Sequence, residues 1–265
     1  MSNPHVPEIA QALVNARRTH QPTDATPFVD QLQSAADAYA VQRQVWRELR
    51  GAEPLAASAP AATAWKSGGP SRTSDLTHAA LLPAGILKSG ANVNAWSFNI
   101  RIVEIEIALR LGRAVTPAEA LTLTVESGRA LVDALTVSIE LVDSRWLQAG
   151  AAQPLLKLAD MQSHGALVLG DWVPYSAEFL GHDWTRQSAS LQIGHQPAVN
   201  FVGSHTLQDP TWLIPIWLRH ATSQGQTVSA GTVVTTGSWC GMPLAQKGDL
   251  VVADFAGIGR TTVQL

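Results

Sequence analysis

Residues 101–109 alternate between polar and apolar side chains, the pattern of a β-strand with one buried face. Glu104 and Glu106 are two positions apart, which would place them roughly 200° apart on a helix but on the same face of a strand. The opposite face is aliphatic, and consists of Val103, Ile105, Ile107 and Leu109. Neighbouring carboxylates repel each other when they are partly buried. The pattern therefore predicts a strand whose polar face needs a compensating cation.

A second alternating segment, residues 136–143, places Glu140 on a polar strand face together with Thr136 and Ser138. If the two strands are neighbours, three carboxylates converge. Such hard oxygen donors suit Mg²⁺, Mn²⁺ or Ca²⁺. The alternative is that Glu104 and Glu106 are solvent-facing residues of an edge strand, with no metal.

Helical spacing of apolar residues is confined to a few segments. Predicted helices span residues 7–18, 31–50, 116–133 and 209–223. Gly51 is placed as the terminating glycine of the second helix, and Thr116, Pro117 and Glu119 form the capping signal of the third. An Ala/Pro/Ser-rich linker, residues 52–62, predicts a boundary between an N-terminal helical region (1–62) and a β-rich catalytic domain (63–265).

Most of the remaining chain is predicted as short strands. These are residues 166–170, two or three strands within 177–202, and residues 231–236, 250–255 and 260–265. Strands and helices do not alternate in a βαβ rhythm, and no repeat is present. We therefore expect an α+β fold with a β-rich domain.

Composition and charge exclude several classes of function. The 265-residue chain has a net charge of −3 and a longest basic run of two residues, Arg17-Arg18, so we expect no nucleic-acid partner. Cys240 is the single cysteine, which excludes an internal disulfide and a cysteine-based zinc cluster. No apolar run approaches the ~20 residues of a membrane span, and the first residues lack the pattern of a secretory signal. We expect a cytoplasmic protein without membrane contact.

Two further segments are candidates for chemistry. Lys66 stands between an apolar run and the turn Gly68-Gly69, where it can bind a carboxylate or transfer a proton; a solvated lysine is the alternative. Residues 231–238 end a strand in small polar residues and glycine, whose backbone N–H groups can hold an anion, although an ordinary turn explains them equally. No pattern supports a serine or cysteine nucleophile.

Taken in order, several segments resemble the fumarylacetoacetate hydrolase superfamily, and within it the branch of 2-keto-4-pentenoate hydratases and 4-oxalocrotonate decarboxylases. They are Asp37 to Gln42, Lys66-Ser67-Gly68, Glu104 to Ala108, Ile139 to Arg145, Val233 to Ser238 and Lys247 to Asp249. The resemblance implies a β-rich roll with a mixed sheet, homo-oligomers with a pathway-enzyme complex as a further partner, and metal-dependent lyase activity on 2-oxo or 2-hydroxydienoate acids in aromatic catabolism.

The resemblance also implies roles for single residues. Glu104, Glu106 and Glu140 would bind Mg²⁺ or Mn²⁺. Lys66 would be the active-site lysine, with Asp160 as a second catalytic residue. Ser71, Thr236 and Ser238 are predicted to contact a small 2-oxo acid substrate.

The segment that follows Lys66 departs from the branch pattern, which leaves alternatives open. It continues as Ser67-Gly68-Gly69-Pro70-Ser71, and residues 67–94 are shorter than usual. One alternative is a C–C hydrolase of acylpyruvates, which often needs a His–Glu pair to activate water; no such pair is evident in the sequence. Another is a non-catalytic subunit that partners an active homologue.

Overall fold

The computed structural model describes residues 3–50 and 62–265. Its helices are α1 (Val6–Thr19), α2 (Ala35–Leu49), α3 (Pro117–Thr122), α4 (Val125–Arg129), α5 (Pro154–Ala159), α6 (Ala177–Leu180) and α7 (Ile214–Ala221). Its strands are β1 (Ala64–Gly68), β2 (Thr77–Ala80), β3 (Ile86–Lys88), β4 (Ala91–Asn92), β5 (Ile102–Leu111), β6 (Val132–Val142), β7 (His164–Leu169), β8 (Val173–Pro174), β9 (Ser188–Ile193), β10 (Val199–Val202), β11 (Val233–Thr235), β12 (Leu250–Phe255) and β13 (Gly259–Gln264).

Within these residues the strands form two mixed sheets. The larger has the order β2-β1-β11-β5-β6-β7-β3, with β8 also paired to β6, and the smaller has the order β10-β9-β12-β13-β4. Most neighbours are antiparallel, whereas the pairs β1 with β11, β3 with β7 and β4 with β13 are parallel. The predicted α+β, β-rich fold is therefore confirmed.

The aliphatic face of β5 forms the centre of the main core. Val103, Ile105 and Ile107 are completely buried, and they join β6 residues and the apolar face of the smaller sheet in one cluster. Their removal from water is the main stabilising contribution of this layer, at about 25 cal/mol for each Å² of apolar surface. The strand alternation predicted for residues 101–109 follows from this burial.

The opposite face of the larger sheet is covered by the N-terminal helices. Ala64, Ala79 and Leu167, which lie on strands of this sheet, pack in a second cluster with apolar residues of α1, α2 and α5. Gln42 of α2 donates hydrogen bonds to the backbone oxygens of His78 and Leu158, at 3.2 and 2.6 Å. The helical region thus encloses the face on which the glutamates lie.

The first two predicted helices are confirmed with adjusted ends. The second begins at Ala35 and not at residue 31, because Ser34 caps it by accepting the Asp37 N–H. Ahead of that cap, the Asp37 carboxylate accepts the Gln33 backbone N–H. Gly51 and most of the predicted linker lie outside the described residues, so the boundary at residue 62 stays a prediction.

The single helix predicted over residues 116–133 is wrong. Thr116 does cap a helix, but α3 ends at Thr122, and Thr124 and Ser127 form a new capping box that starts α4. Glu119 does not complete the predicted capping box, because its carboxylate pairs with Arg113. The prediction for residues 177–202 is also partly wrong. β9 and β10 are present, but residues 177–180 form the short helix α6.

The predicted helix over residues 209–223 changes type along its length. Asp209 caps it by accepting the Thr211 N–H at 2.8 Å, and Pro210–Leu213 then forms a 3₁₀ turn before α7. Pro215 lies in the first turn of α7. Backbone N–H groups there have no acceptor within the helix, so the absence of an N–H in proline removes no helical hydrogen bond. Among the described helices, none has the length and apolar content to cross a bilayer.

Buried histidines predict a loss of stability in mild acid. Burial, with smaller repulsion from nearby positive groups, lowers the pKa of His78 to about 3 and of His205 and His220 to about 4, below the ordinary value of 6.5. At these residues the unfolded chain therefore binds protons first as the pH falls below 6.5, and each histidine contributes a loss of about 1 kcal/mol between pH 6.5 and 5.5. Glu104 and Glu106, whose pKa values are raised in the folded protein, oppose this loss over the same range.

Urea unfolding at the two pH values measures this effect. His220 stacks on His78 and packs against Tyr39, so His220→Phe retains a ring there. The variant should reduce the pH-dependent loss of unfolding free energy by the contribution of one histidine. An unchanged pH dependence in this variant would contradict the assignment.

Candidate metal centre

The antiparallel register of β5 and β6 brings the three predicted glutamates together. Glu104 lies directly opposite Glu140, and Glu106 lies one pleat further along the same face. Carboxylate oxygens of all three residues lie within 4.8 Å of one another. Glu106 and Glu140 are buried, whereas Glu104 is partly exposed, so the cluster has one side nearer to solvent.

Lys66 reaches the cluster from β1. Its ladder partner is Thr235 of β11, whose own partner on β5 is Ala108, so these residues share the glutamate face. Lys66 Nζ lies 2.6 Å from Glu140 Oε1 and 3.4 Å from the Gln162 backbone oxygen. Burial alone would lower the pKa of Lys66, but the surrounding carboxylates outweigh burial and raise the pKa, so the amine is an ammonium.

The three carboxylates differ in their affinity for protons. Burial would raise the pKa of Glu140, but the Lys66 ammonium and the His164 N–H overcome burial and lower the pKa. Burial and mutual repulsion raise the pKa of Glu104 to about 8 and of Glu106 to about 7. Without a cation, the cluster therefore holds protons near neutral pH.

A cation must displace these protons, which makes its binding dependent on pH. We expect Mg²⁺ affinity to rise by at least about tenfold from pH 6 to pH 8, because only the ionised carboxylates are good ligands. Calorimetry in two buffers of different ionisation enthalpy measures both the affinity and the protons released. Equal affinity at the two pH values, with no proton release, would contradict this expectation.

Glu106 is held by residues at the end of β11. Its Oε2 accepts hydrogen bonds from the Thr235 hydroxyl and from the Gly237 N–H, the latter at 2.9 Å. Sequence reasoning selected Thr236 and missed Thr235, because the position of Thr235 on the glutamate face depends on the pairing of β11 with β1 and β5. The predicted anion-holding turn thus supports a carboxylate of the protein itself.

His164 is the other residue that sequence reasoning missed. Its Nδ1 lies 2.9 Å from Glu140 Oε1, the same oxygen that Lys66 contacts. Burial lowers the pKa of His164, so the neutral ring donates through Nδ1. The sequence shows no His–Glu spacing, because the pair forms only when β7 lies beside β6. The structure therefore contains a His–Glu pair that is not evident in the sequence.

Asp160 lies apart from the three glutamates. Its carboxylate contacts Arg145 at 2.7 and 3.0 Å and Arg17 at 3.2 Å, and it is almost fully buried. Because guanidinium groups hold both of its oxygens, Asp160 has no part in the mechanism proposed below, and its catalytic role stays a prediction. It precedes three consecutive residues with positive φ, Met161, Gln162 and Ser163. Such a turn is strained in L-residues, and it directs the Gln162 oxygen to Lys66.

The three predicted substrate contacts are engaged elsewhere. The Ser71 hydroxyl bonds those of Thr73 and Ser74 in the turn after β1. The Thr236 hydroxyl donates to the Ile107 backbone oxygen at 2.7 Å, and that of Ser238 donates to the Gly241 oxygen at 2.6 Å. Among the described residues, no hydrogen bond joins any of the three to the glutamates, and their substrate roles stay predictions.

The cluster fits a divalent cation. Three carboxylates supply the oxygen donors that Mg²⁺ and Mn²⁺ prefer. Glu140 Oε2 is buried without a hydrogen-bond partner in the described part of the chain, as expected for an atom that lacks its ligand. A cation there would also relieve the repulsion that raises the pKa values of Glu104 and Glu106.

Two mixed sheets, with a buried carboxylate cluster on the larger one, define the class of fold. The chain belongs to the fumarylacetoacetate hydrolase family, because residues 81–265 match the model described as Fumarylacetoacetate (FAA) hydrolase C-terminal. Among curated proteins, no sequence matches the chain.

Solved structures agree with this assignment. The chain is similar to 4-oxalocrotonate decarboxylase from Pseudomonas putida G7, complexed with magnesium and adipate, with a TM-score of 0.81 and 18% identity over 100% of this chain and 98% of that one. The same enzyme with calcium and acetate gives a TM-score of 0.80. Fumarylpyruvate hydrolase from Pseudomonas aeruginosa, in complex with Mn²⁺ and pyruvate, gives 0.54 and 13% identity over 77% of this chain and 89% of that one. At these identities the matches show the fold.

Proposed function

We propose that this protein is a Mg²⁺- or Mn²⁺-dependent lyase that acts on 2-oxo or 2-hydroxydienoate acids, as a hydratase or a decarboxylase. The observation that carries the proposal is the buried arrangement of Glu104, Glu106 and Glu140 with the Lys66 ammonium 2.6 Å from Glu140. The metal and small-acid complexes of the similar decarboxylase support it.

The three glutamates would hold the cation on the side of the cluster where Glu104 is partly exposed. When bound, the cation supplies positive charge that polarises the keto group of a chelating 2-oxo acid. The burial of Glu106 and Glu140 keeps bulk water away from the reacting atoms, which strengthens every charge interaction in the site.

Lys66 is suited to proton transfer. In hydration, water adds to the conjugated system, and in decarboxylation, the bond to the departing CO₂ breaks; both steps would move electrons onto the oxygen of the 2-oxo group. When these electrons return, a carbon of the substrate takes up a proton. The ammonium of Lys66 can donate that proton and the resulting amine can accept one. Glu140 and the Gln162 oxygen fix the position of Nζ, so the proton is delivered from one direction.

An activity screen with and without Mg²⁺ or Mn²⁺ tests the proposal. The substrates are 2-hydroxydienoates, 2-oxo diacids and acylpyruvates. A metal-dependent hydrated product or released CO₂ would support it. Mg²⁺ and oxalate binding without turnover of any of the three classes would contradict catalysis by the chain alone, and turnover restored by an active homologue would establish the non-catalytic subunit instead.

A C–C hydrolase of acylpyruvates is the second candidate, and the His164–Glu140 pair is the observation that favours it. Glu140 is already shared with Lys66, and the second ring nitrogen of His164 lies on the side of Gly85. Both features weaken His164 as a base for water at the metal. Product analysis separates the reactions, because hydrolysis gives two acids where hydration gives one.

A further inference from the structure

A cavity of about 390 Å³ adjoins His164 on the side opposite to the metal centre. Its walls come from α1, from residues 95–99 and from residues 143–145 after β6, and neither Lys66 nor the three glutamates lines it. The volume falls in the range of small-molecule sites in proteins. We propose that this cavity binds a planar aromatic hydroxy monocarboxylate, such as a hydroxybenzoate, at a site distinct from the metal centre. The proposal does not depend on the proposed function.

The first argument is an unpartnered nitrogen. His164 is 1% exposed, and its Nε2 has no hydrogen-bond partner among residues 3–50 and 62–265. The bond to Glu140 occupies Nδ1 of the ring, which leaves Nε2 as the nitrogen free to form a hydrogen bond. The Nε2 atom lies near Gly85, another wall residue. A hydroxyl group in the cavity would satisfy this nitrogen, because a hydroxyl can both donate and accept a hydrogen bond.

The second argument is a guanidinium N–H group of the wall that has no partner. Arg17 Nε is likewise buried without a partner in the described part of the chain, although Nη2 of the same side chain bonds Asp160. Arg145 contributes a second guanidinium, which is also anchored on Asp160. These groups favour a carboxylate, which a guanidinium binds with directed, charge-assisted hydrogen bonds.

The third argument limits the charge of the ligand to one carboxylate. Asp143 also lines the cavity. Its Oδ1 accepts the backbone N–H groups of Asn99 and Ile100, at 2.9 and 3.0 Å, and its Oδ2 lies 3.8 Å from Arg145. The Asp143 carboxylate is thus fixed in the cavity wall, and it would repel a second carboxylate of a ligand that lay beside it. A dicarboxylate should bind less well than a monocarboxylate of similar size.

The fourth argument is an aromatic wall. Trp96 and Phe98 are stacked, with ring centroids 6.4 Å apart and an angle of 24° between their planes, and both line the cavity. Trp96 is 39% exposed, which is unusual for so large an apolar ring and leaves surface to cover. A planar ring laid against these residues gains aromatic contact as well as burial.

Calorimetric titration with 4-hydroxybenzoate tests the proposal. We expect saturable binding that Trp96→Ala weakens by at least about tenfold, since the variant removes the aromatic contact. Trp96→Phe keeps a ring and should stay within about threefold of the parent affinity. Trp172→Ala is the matched control, because Trp172 stacks under Arg110 away from the cavity and its loss should not change the affinity.

Two further titrations locate the probe. Glu106→Gln should bind 4-hydroxybenzoate as the parent does, whatever its effect on catalysis. Benzoate, which lacks the hydroxyl, should bind at least about tenfold more weakly, because it leaves His164 Nε2 unpaired. The proposal is overturned by the absence of saturable binding, by equal affinity for benzoate, or by binding that Glu106→Gln abolishes and Trp96→Ala leaves unchanged.

Discussion

Glu106→Gln should abolish metal-dependent turnover and weaken Mg²⁺ binding by at least about 100-fold. Loss of a residue that only supports a metal ligand weakens metal binding by about 10–100-fold, and loss of the ligand itself should cost at least as much. The amide is nearly isosteric, but it removes one negative charge from the cluster and replaces an anionic ligand oxygen with a neutral one. Calorimetry with Mg²⁺ and turnover of the substrate found in the activity screen measure the two effects.

The same variant should not unfold the protein without metal. Burial raises the pKa of Glu106 to about 7, so a neutral side chain is easily tolerated there, and it relieves repulsion with Glu104 and Glu140. We expect an unchanged or higher melting temperature in EDTA. Glu48→Gln, which changes an exposed glutamate of α2, is the matched control and should retain full activity. Full activity in Glu106→Gln would refute the metal-centre assignment.

Lys66→Met should lower both the free energy of unfolding and kcat. Lys66 is the cation that contacts Glu140 at 2.6 Å, and its removal leaves a buried carboxylate without that partner. Breaking a buried ion pair in this way costs about 3–5 kcal/mol. Loss of the proton donor should lower kcat by about 10²–10⁴-fold. Urea unfolding in EDTA and steady-state kinetics measure these changes.

Excess Mg²⁺ should restore much of the lost stability in Lys66→Met, because a cation bound by Glu140 replaces the missing positive charge. It should not restore kcat, since the metal does not replace the proton donor. Lys88→Met removes an exposed lysine from β3 and serves as the control for the substitution itself. A normal kcat in Lys66→Met would rule out the proposed proton transfer, whereas stability that does not respond to Mg²⁺ would argue against a cation beside Glu140.

The parts of the site that lie on regular strands could be predicted from the sequence. Alternation alone places Glu104 and Glu106 on one face, and it places Glu140 on a polar face of the next strand. The position of Lys66 between an apolar run and a glycine turn makes it a candidate, the family resemblance implies its role, and the structure places it against Glu140. The register that sets Glu104 opposite Glu140 depends on both strands and on the core beneath them, so the sequence gives no direct signal for it.

The residues that could not be predicted depend on contacts between distant segments. His164 meets Glu140 because β7 pairs with β6, and the Asp160 carboxylate binds both Arg145 and Arg17, which is far away in sequence. The prediction of one helix over residues 116–133 is wrong for a local reason. The apolar spacing continues across residue 124, but the side chains of Thr124 and Ser127 bond each other's backbone N–H groups, so a new helix begins there.

Lys66 lies before the segment that defines the family, which begins at residue 81. A fragment cut to residues 81–265 would keep all three glutamates and lose the ammonium beside Glu140. It would also lose α1 and α2, which pack over the face that carries them. The recognisable domain is therefore smaller than the working unit, and transplanting this centre into another scaffold would require the N-terminal helices and β1 as well.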